Sequence, residues 1–354
     1  MFRILVINPG STSTKLALYE DQIPVWTERI PYTSEDLAPF HNVLDQLPKR
    51  KADILGLLED KSLDLNTLSA IAARGGPFKP LESGTYRITS EVIDDIRNEN
   101  VQADHVSNLA SLIAYDLTRD TNIPAFFVDP VCVDEMEPLA RFSGIPDLER
   151  KSLLHALNVK AVARKTSEKM GKPLDSLNLV IVHLGGGITI CPLKKGRIID
   201  VNNANEEGPF SPERSGSLPV SSFLRLCFSQ KYTQSELKRR INRQGGITAY
   251  LQTNDLKEVE QRIQNGDSLA KSVLEAMAYQ IAKEIGAMST VLLGKVDGIV
   301  ITGGGANCKL LTDWITERVQ FIAPINLFQG EFEMEALAMG VLRVLKNEDE
   351  VKVY

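Results

Sequence analysis

Short runs of aliphatic residues, each broken by a small or polar turn, set the pattern of this chain. Residues 3–8 read as a buried strand. Residues 13–19 read as its hairpin partner, with Lys15, Ala17 and Tyr19 alternating against Leu16 and Leu18. A third strand near 24–32 completes a meander. Helices are predicted over 34–46, 53–58, 91–98 and 106–120. Strands are predicted over 69–73, running into RGGPFKP, and over 125–128, ending on Asp129 and Pro130. A long amphipathic helix over 151–170 follows GIPDLER, and then the opening pattern recurs. LNLVIVHLGGGITICPLKKGRIIDV, residues 177–201, is again strand, turn, strand, turn, strand, which reads as an internal duplication. Leu269, Val273, Met277, Ile281, Ile285, Met288 and Leu292 recur at helical spacing and predict a core helix over 268–292. The strand VDGIVITGGGAN follows, then an amphipathic helix from 309 and a last helix over 334–346. The charged run NEDEVK reads as a solvated tail. Strands mixed with helices throughout predict an α/β fold.

At 354 residues the chain exceeds the size at which one hydrophobic core keeps growing, so two domains around a cleft are expected. An apolar fraction of 43% with 24% charged residues argues against disorder. The net charge of −6 gives no general attraction to nucleic acid or to an anionic membrane, so an anionic ligand needs local positive groups. Cys132, Cys191, Cys227 and Cys308 lie far apart, without metal-ligand spacing, and read as reduced core thiols. The apolar run at the start is too short for a secretory signal, and no run approaches a membrane span, so a soluble cytoplasmic protein is expected.

Three turns share one design, in which a buried strand runs into small residues: NPGSTSTK (8–15), HLGGGIT (183–189) and TGGGAN (302–307). Each alone reads more often as a plain hairpin than as a phosphate cradle, and it is the set of three at strand ends that points to the cradle. Glycines admit a ligand close to the main chain, where consecutive N–H groups converge on an anion. In the first turn Ser11, Thr12, Ser13 and Thr14 add hydroxyls and Lys15 a charge. None of the three is a GxxxxGK[ST] loop or a GxGxxG unit with a downstream acid, which disfavours an ordinary P-loop enzyme or dehydrogenase.

Taken together, the turns resemble those of the acetate and sugar kinase, heat-shock and actin superfamily. More narrowly, VINPGSTSTK, ARGGPFKPL, VDPV, HLGGGITI, PERSGSLP and TGGGAN resemble, in order and over nearly the whole chain, the short-chain acyl kinases in their butyrate kinase branch. The resemblance implies that Asn8, Ser11, Ser13 and Lys15 face the transferred phosphoryl group. It implies that Arg74 and Arg214 are the essential arginines, Asp129 the active-site aspartate and His155 a phosphoryl-contacting histidine. His183, Gly185, Gly186, Gly187, Gly303, Gly304, Gly305 and Asn307 match the nucleotide turns. Glu335, with Asn8, matches the magnesium side, and His105 a histidine near the acid. Acetate kinases place an asparagine where this chain has Gly186. They also place two bulky aliphatics after the first arginine, where this chain has Gly75 and Gly76. Loss of those side chains is expected to open room for extra methylenes, each worth about 0.8 kcal/mol when buried.

The implied fold is two duplicated actin-like (ribonuclease H-like) domains with mixed five-stranded sheets around a central cleft. Residues 1–146 with 337–354 would form an acyl-substrate domain and 147–336 a nucleotide-binding domain. The implied activity is reversible phosphoryl transfer between ATP and butyrate, with Mg2+, giving butyryl phosphate and ADP in a homodimer or higher homo-oligomer. Two alternatives stand beside it: an acetate, propionate or sugar kinase of the same fold, and an actin-like or chaperone-like ATPase module.

Overall fold

The computed structural model describes residues 1–354. Its strands are, in chain order, β1 (Arg3–Gly10), β2 (Ser13–Glu20), β3 (Ile23–Pro31), β4 (Ala70–Arg74), β5 (Thr85–Arg87), β6 (Ala125–Val128), β7 (Asn178–Leu184), β8 (Ile188–Lys194), β9 (Arg197–Ile198), β10 (Gly298–Gly303), β11 (Ile325–Gln329) and β12 (Val351–Lys352). They form a seven-stranded sheet, β12-β5-β6-β4-β1-β2-β3, and a five-stranded sheet, β11-β10-β7-β8-β9. The chain divides accordingly into two units, Met1–Asp134 with Phe332–Tyr354, and Glu135–Glu331. The chain first crosses between them at Asp134 rather than at 146. Glu135 accepts from Lys160 Nζ and from the Ile198 amide, and the Glu137 amide donates to Ile199, which ties this segment to the second unit.

In the first unit β1 pairs antiparallel with β2 and parallel with β4, and β4 pairs parallel with β6. Ile4, Leu5, Val6 and Ile7 are buried on both faces of the sheet, which explains why β1 is a continuous aliphatic run. The core gathers Leu5, Ile7, Leu16, Leu18, Ile71 and Phe127 with Ile54 and Leu58 of helix Leu47–Asp60 and Leu109 and Ile113 of helix Asn108–Thr118. Two departures from the sequence reading lie here. The helix predicted over 34–46 is only Ser34–Leu37, closed at its start by a Thr33–Asp36 capping box. Pro39 cannot continue it, and a new helix begins where Pro48 fits the first turn. The sheet has seven strands rather than five because β5 runs antiparallel to β6 and β12 joins β5. The end of the chain is therefore a sheet edge and not a solvated tail.

In the second unit β7, β8 and β9 repeat the meander, and β10 and β11 pair parallel beside β7. The order β9-β8-β7-β10-β11 repeats β3-β2-β1-β4-β6 in position and direction, so the duplication read from the sequence holds at the level of topology. Val180, Val182, Ile299 and Ile301 pack against Leu274, Met277, Ile281 and Ile285 of helix Ser268–Val291, whose start is capped by Asp267. The helix predicted from 151 begins at Ala156. Arg150 is held by Glu207, Asp200 and the Ala140 and Val201 carbonyls, which keeps the residues just before it off a helical path. No helix is long and apolar enough to cross a membrane.

Candidate active site

The parallel strands of the first unit end in one row. Ile7 pairs with Ala73 and Arg74 with Val128, so Asn8, Arg74 and Asp129 stand side by side at the carboxyl edge, where open α/β sheets present their ligands. Arg74 Nη1 donates to Asn8 Oδ1 (3.2 Å) and to Glu333 Oε2 (2.5 Å), and Asn8 Nδ2 donates to the same Glu333 oxygen (2.9 Å). The Arg74 Nε and Nη2 groups donate to no protein acceptor, which leaves a charged fork available to an anion. Glu333 opens the last helix, Glu333–Leu345, and its charge suits a helix N-terminus.

That helix is seated by a glycine. A Cβ on Gly340 would lie 2.5 Å from Val128 Cγ1, so only glycine lets the helix approach β6 this closely and bring Glu333 to Asn8 and Arg74. The sequence reading named Glu335 as the magnesium-side carboxylate. The carboxylate that meets Asn8 and Arg74 is instead that of Glu333, two residues earlier. Glu335 shares the first helical turn and acts electrostatically on Tyr19, whose hydroxyl is pushed up chiefly by burial and secondarily by that charge.

Asp129 takes a left-handed backbone (φ 38°) ahead of Pro130, and its Oδ1 accepts from the Gly84 amide at 2.7 Å. Arg74 is bonded by Glu333 and Asn8. Lys15 is half-buried on β2 opposite Asn8, Ser13 is buried, and Ser11 is exposed at the turn. His105 is exposed, with its Nδ1 2.7 Å from Ser107 Oγ.

The space over Gly75 and Gly76 is filled rather than open. A Cβ on Gly75 would lie 2.4 Å from Pro130 Cβ, and one on Gly76 would lie 1.9 Å from Asn108 Oδ1. Close packing by itself accounts for both glycines. Asn108 is buried, its Nδ2 donates to the Ala103 carbonyl at 3.2 Å, and its Oδ1 has no partner.

In the second unit His155 is the residue just before helix Ala156–Met170 rather than a member of it. Its ring stacks on His183 with centroids 4.0 Å apart, and its Nδ1 lies 2.8 Å from Thr189 Oγ1. Asn158 Nδ2 bonds His183 Nδ1 (2.9 Å) and Thr302 Oγ1 (3.2 Å). With Asn158 donating, His183 Nδ1 is the acceptor of that bond.

The HLGGG turn is shaped by what lies against it. A Cβ on Gly187 would meet Arg214 Nη1 at 2.6 Å, so the missing side chain is what lets the guanidinium rest on the hairpin. Arg214 makes no side-chain hydrogen bond to the protein. Burial pulls its guanidinium below the ordinary value, and Glu213 opposes that shift. Ser211, which the motif reading passed over, accepts from the Arg214 amide (3.0 Å) and donates to the Gly186 carbonyl, joining the ERSG loop to the turn.

Gly185 and Gly187 close the hairpin through an N–H···O bond of 3.2 Å. At the third turn Gly303 has φ 93° and a Cβ there would lie 2.4 Å from the Leu184 carbonyl, while Gly304 is open and Gly305 packs on Leu184. Asn307, expected to bind nucleotide, donates Nδ2 back to the Gly304 carbonyl at 2.9 Å and so braces its own turn.

Residues 148–327 match the model of the Acetokinase family. Among solved structures, acetate kinase from Porphyromonas gingivalis superposes with a TM-score of 0.80 at 19% identity, over 98% of this chain and 100% of that one. A propionate kinase from Francisella tularensis subsp. tularensis SCHU S4 gives 0.75 at 19% identity, over 96% and 99%. Acetate kinase from Entamoeba histolytica gives 0.75 at 15% identity, over 96% and 98%. At these identities the structural likeness establishes a shared two-domain α/β fold.

Proposed function

The chain belongs to the acetokinase family and is a phosphotransferase with a carboxyl group as acceptor; from that premise we propose that it transfers phosphoryl reversibly between ATP and a short-chain fatty acid of about four carbons, butyrate or a branched relative. The observation that carries the reading is the pair of arginines with open donors, Arg74 in the first unit and Arg214 in the second. A simple carboxylic acid has a pKa of about 4 to 5 and arrives ionised, so no general base is needed. The obstacle is the approach of one anion to another. Arg74 receives the carboxylate or phosphoryl oxygens on Nε and Nη2, and the short tie to Glu333 and Asn8 fixes the direction of that fork. His155 donates to the phosphoryl group, while the main-chain amides of residues 185–187 and the Arg214 guanidinium hold the nucleotide phosphates.

The residues also fit a magnesium ion carried with the nucleotide. No three His, Cys, Asp or Glu side chains gather into a cage, but Mg2+ on a phosphate needs only one or two carboxylates. Glu333, with Asp129 through water, would supply those oxygens. When bound, the ion neutralises charge on the phosphate oxygens.

Support for a four-carbon acid is the run of motifs shared with the butyrate branch. One observation favours a second reading, acetate or propionate as acceptor: Pro130 and Asn108 already occupy the room beside Gly75 and Gly76. Hydroxamate detection of acyl phosphate with ATP, Mg2+ and a panel of C2 to C6 acids separates the two. Highest kcat/KM with C4 or C5 is expected, with about 10- to 200-fold discrimination per misplaced methylene at most. An acetate optimum would sink the butyrate proposal, and no product with any acid would sink the transfer itself. The homodimer and the cytoplasmic setting are carried by the family likeness. A single-chain mass in sedimentation would overturn the dimer.

A further inference from the structure

Directly behind the first hairpin lies a charged residue that belongs to none of the motifs. Arg50, in helix Leu47–Asp60, has no exposed surface. Its Nε donates to Gln46 Oε1 (3.0 Å), its Nη1 to Thr14 Oγ1 (3.0 Å) and its Nη2 to the Ser11 carbonyl (3.5 Å), while the guanidinium lies 4.4 Å from the centre of the Tyr32 ring. Every hydrogen-bond acceptor is neutral. The carboxylate that acts on it electrostatically, Asp53, has its Oδ2 3.4 Å from Lys49 Nζ, so its charge is shared.

A buried cation without a hydrogen-bonded acid is an expensive strut. Even a buried ion pair can often be replaced by apolar side chains of similar volume without loss of stability, and a lone buried charge has less to offset its desolvation. Burial lowers the guanidinium from its ordinary value, yet an arginine remains charged at any working pH. Two of its three hydrogen bonds end on the 8–15 hairpin, at the turn residue Ser11 and at Thr14. Along β2 successive side chains alternate faces, so Thr14 points to Arg50 while Ser13 and Lys15 point the other way.

We propose that Arg50 is a positioning residue for phosphoryl transfer: it pins the 8–15 turn from behind through Ser11 and Thr14 and keeps a fixed positive charge under the turn that faces the phosphoryl group. The inference rests on the reading of this hairpin as phosphoryl-facing. It separates two contributions, the fork geometry and the charge, that different substitutions remove.

The test compares the full-length wild type with Arg50→Lys, Arg50→Gln and Thr14→Val. Activity is measured at a temperature where melting curves show each variant folded. Inorganic phosphate binding is measured by calorimetry. Arg50→Gln is expected to lower kcat about 10- to 100-fold, the size of effect that a misplaced contact produces. KM for the acid should stay within about twofold, since uniform binding is untouched. Arg50→Lys, which keeps the charge without the fork, should recover part of kcat and bind phosphate more tightly than Arg50→Gln. Thr14→Val should lower kcat in the same direction at unchanged charge, and it stands in for Arg50→Gln if that variant does not fold.

A kcat for folded Arg50→Gln within about twofold of wild type, or equal phosphate binding by the lysine and glutamine variants, would overturn the proposal. If the wild type phosphorylates no acid, the transfer reading fails instead, and the phosphate titration still decides whether Arg50 serves an anion-binding turn.

Discussion

Arg74 owes its direction to residues distant from it in the chain, Asn8 and Glu333, whose contacts occupy only one of its nitrogens. If that tie orients the fork, Glu333→Gln should lower kcat by about 100-fold, in the range found when one preorganised electrostatic partner is lost. Glu335→Gln should have a much smaller effect. Steady-state rates of acyl phosphate formation compare the two, and the reverse ranking would return the role to Glu335. The glycines after Arg74 make a second prediction at this scale. Gly75→Ala drives a Cβ into Pro130, including its Cα at 2.8 Å, which a flexible side chain cannot relieve. A destabilisation of about 1–3 kcal/mol is expected from such overpacking, read as a lowered melting temperature. A variant as stable as wild type with a shifted acid preference would instead support the open-pocket idea.

Among the elements, the last helix and the last strand matter most. The helix carries Glu333 to the site because Gly340 lets it lie against Val128, and the Thr85 hydroxyl donates to the Gly340 carbonyl at 3.2 Å. The strand β12 then completes the sheet edge, and Tyr354 packs edge-on against Phe78 and Phe127 with its hydroxyl donating to Asp95 at 2.9 Å. Removal of residues 350–354 should therefore cost about 1.5–3 kcal/mol from the buried aromatic alone. Calorimetry should show the melting temperature of this unit lowered by about 3–12 °C. An unchanged transition would mean that the end of the chain is solvated after all.

For the molecule as a whole, the repeated strand order of the two sheets makes each unit a variant of one plan. Each unit has its own core and its own arginine. The cysteines follow the same partition into interior and surface. Cys132 and Cys308 are buried and pushed up to about 12, and Cys191 is buried and pushed up as well, in each case chiefly by burial, so their thiolates are suppressed. Cys227 is exposed. Titration of the native protein with an aromatic disulfide near pH 8 should show one fast thiol, rising to four in denaturant. Two or more fast thiols would contradict the burial.

The sequence by itself determined the features that are encoded locally. The meander 3–31 and its repeat follow from short aliphatic runs broken by small or polar turns, the helix 268–291 from helical spacing, and the three turns from glycines next to buried strands. The order of the motifs carried the family. What the tertiary structure decided are pairings between residues far apart in the chain. It brought Glu333 to Asn8 and Arg74, packed Pro130 and Asn108 against Gly75 and Gly76, and set Ser211 and Arg214 against the glycine hairpin. It also buried Arg50 behind the first turn and added β5 and β12, strands too short to show any alternation. Periodicity reports which face of an element is apolar, and a motif reports a local backbone shape. Neither contains the distance between two side chains on different elements, and that distance is fixed only when the elements pack.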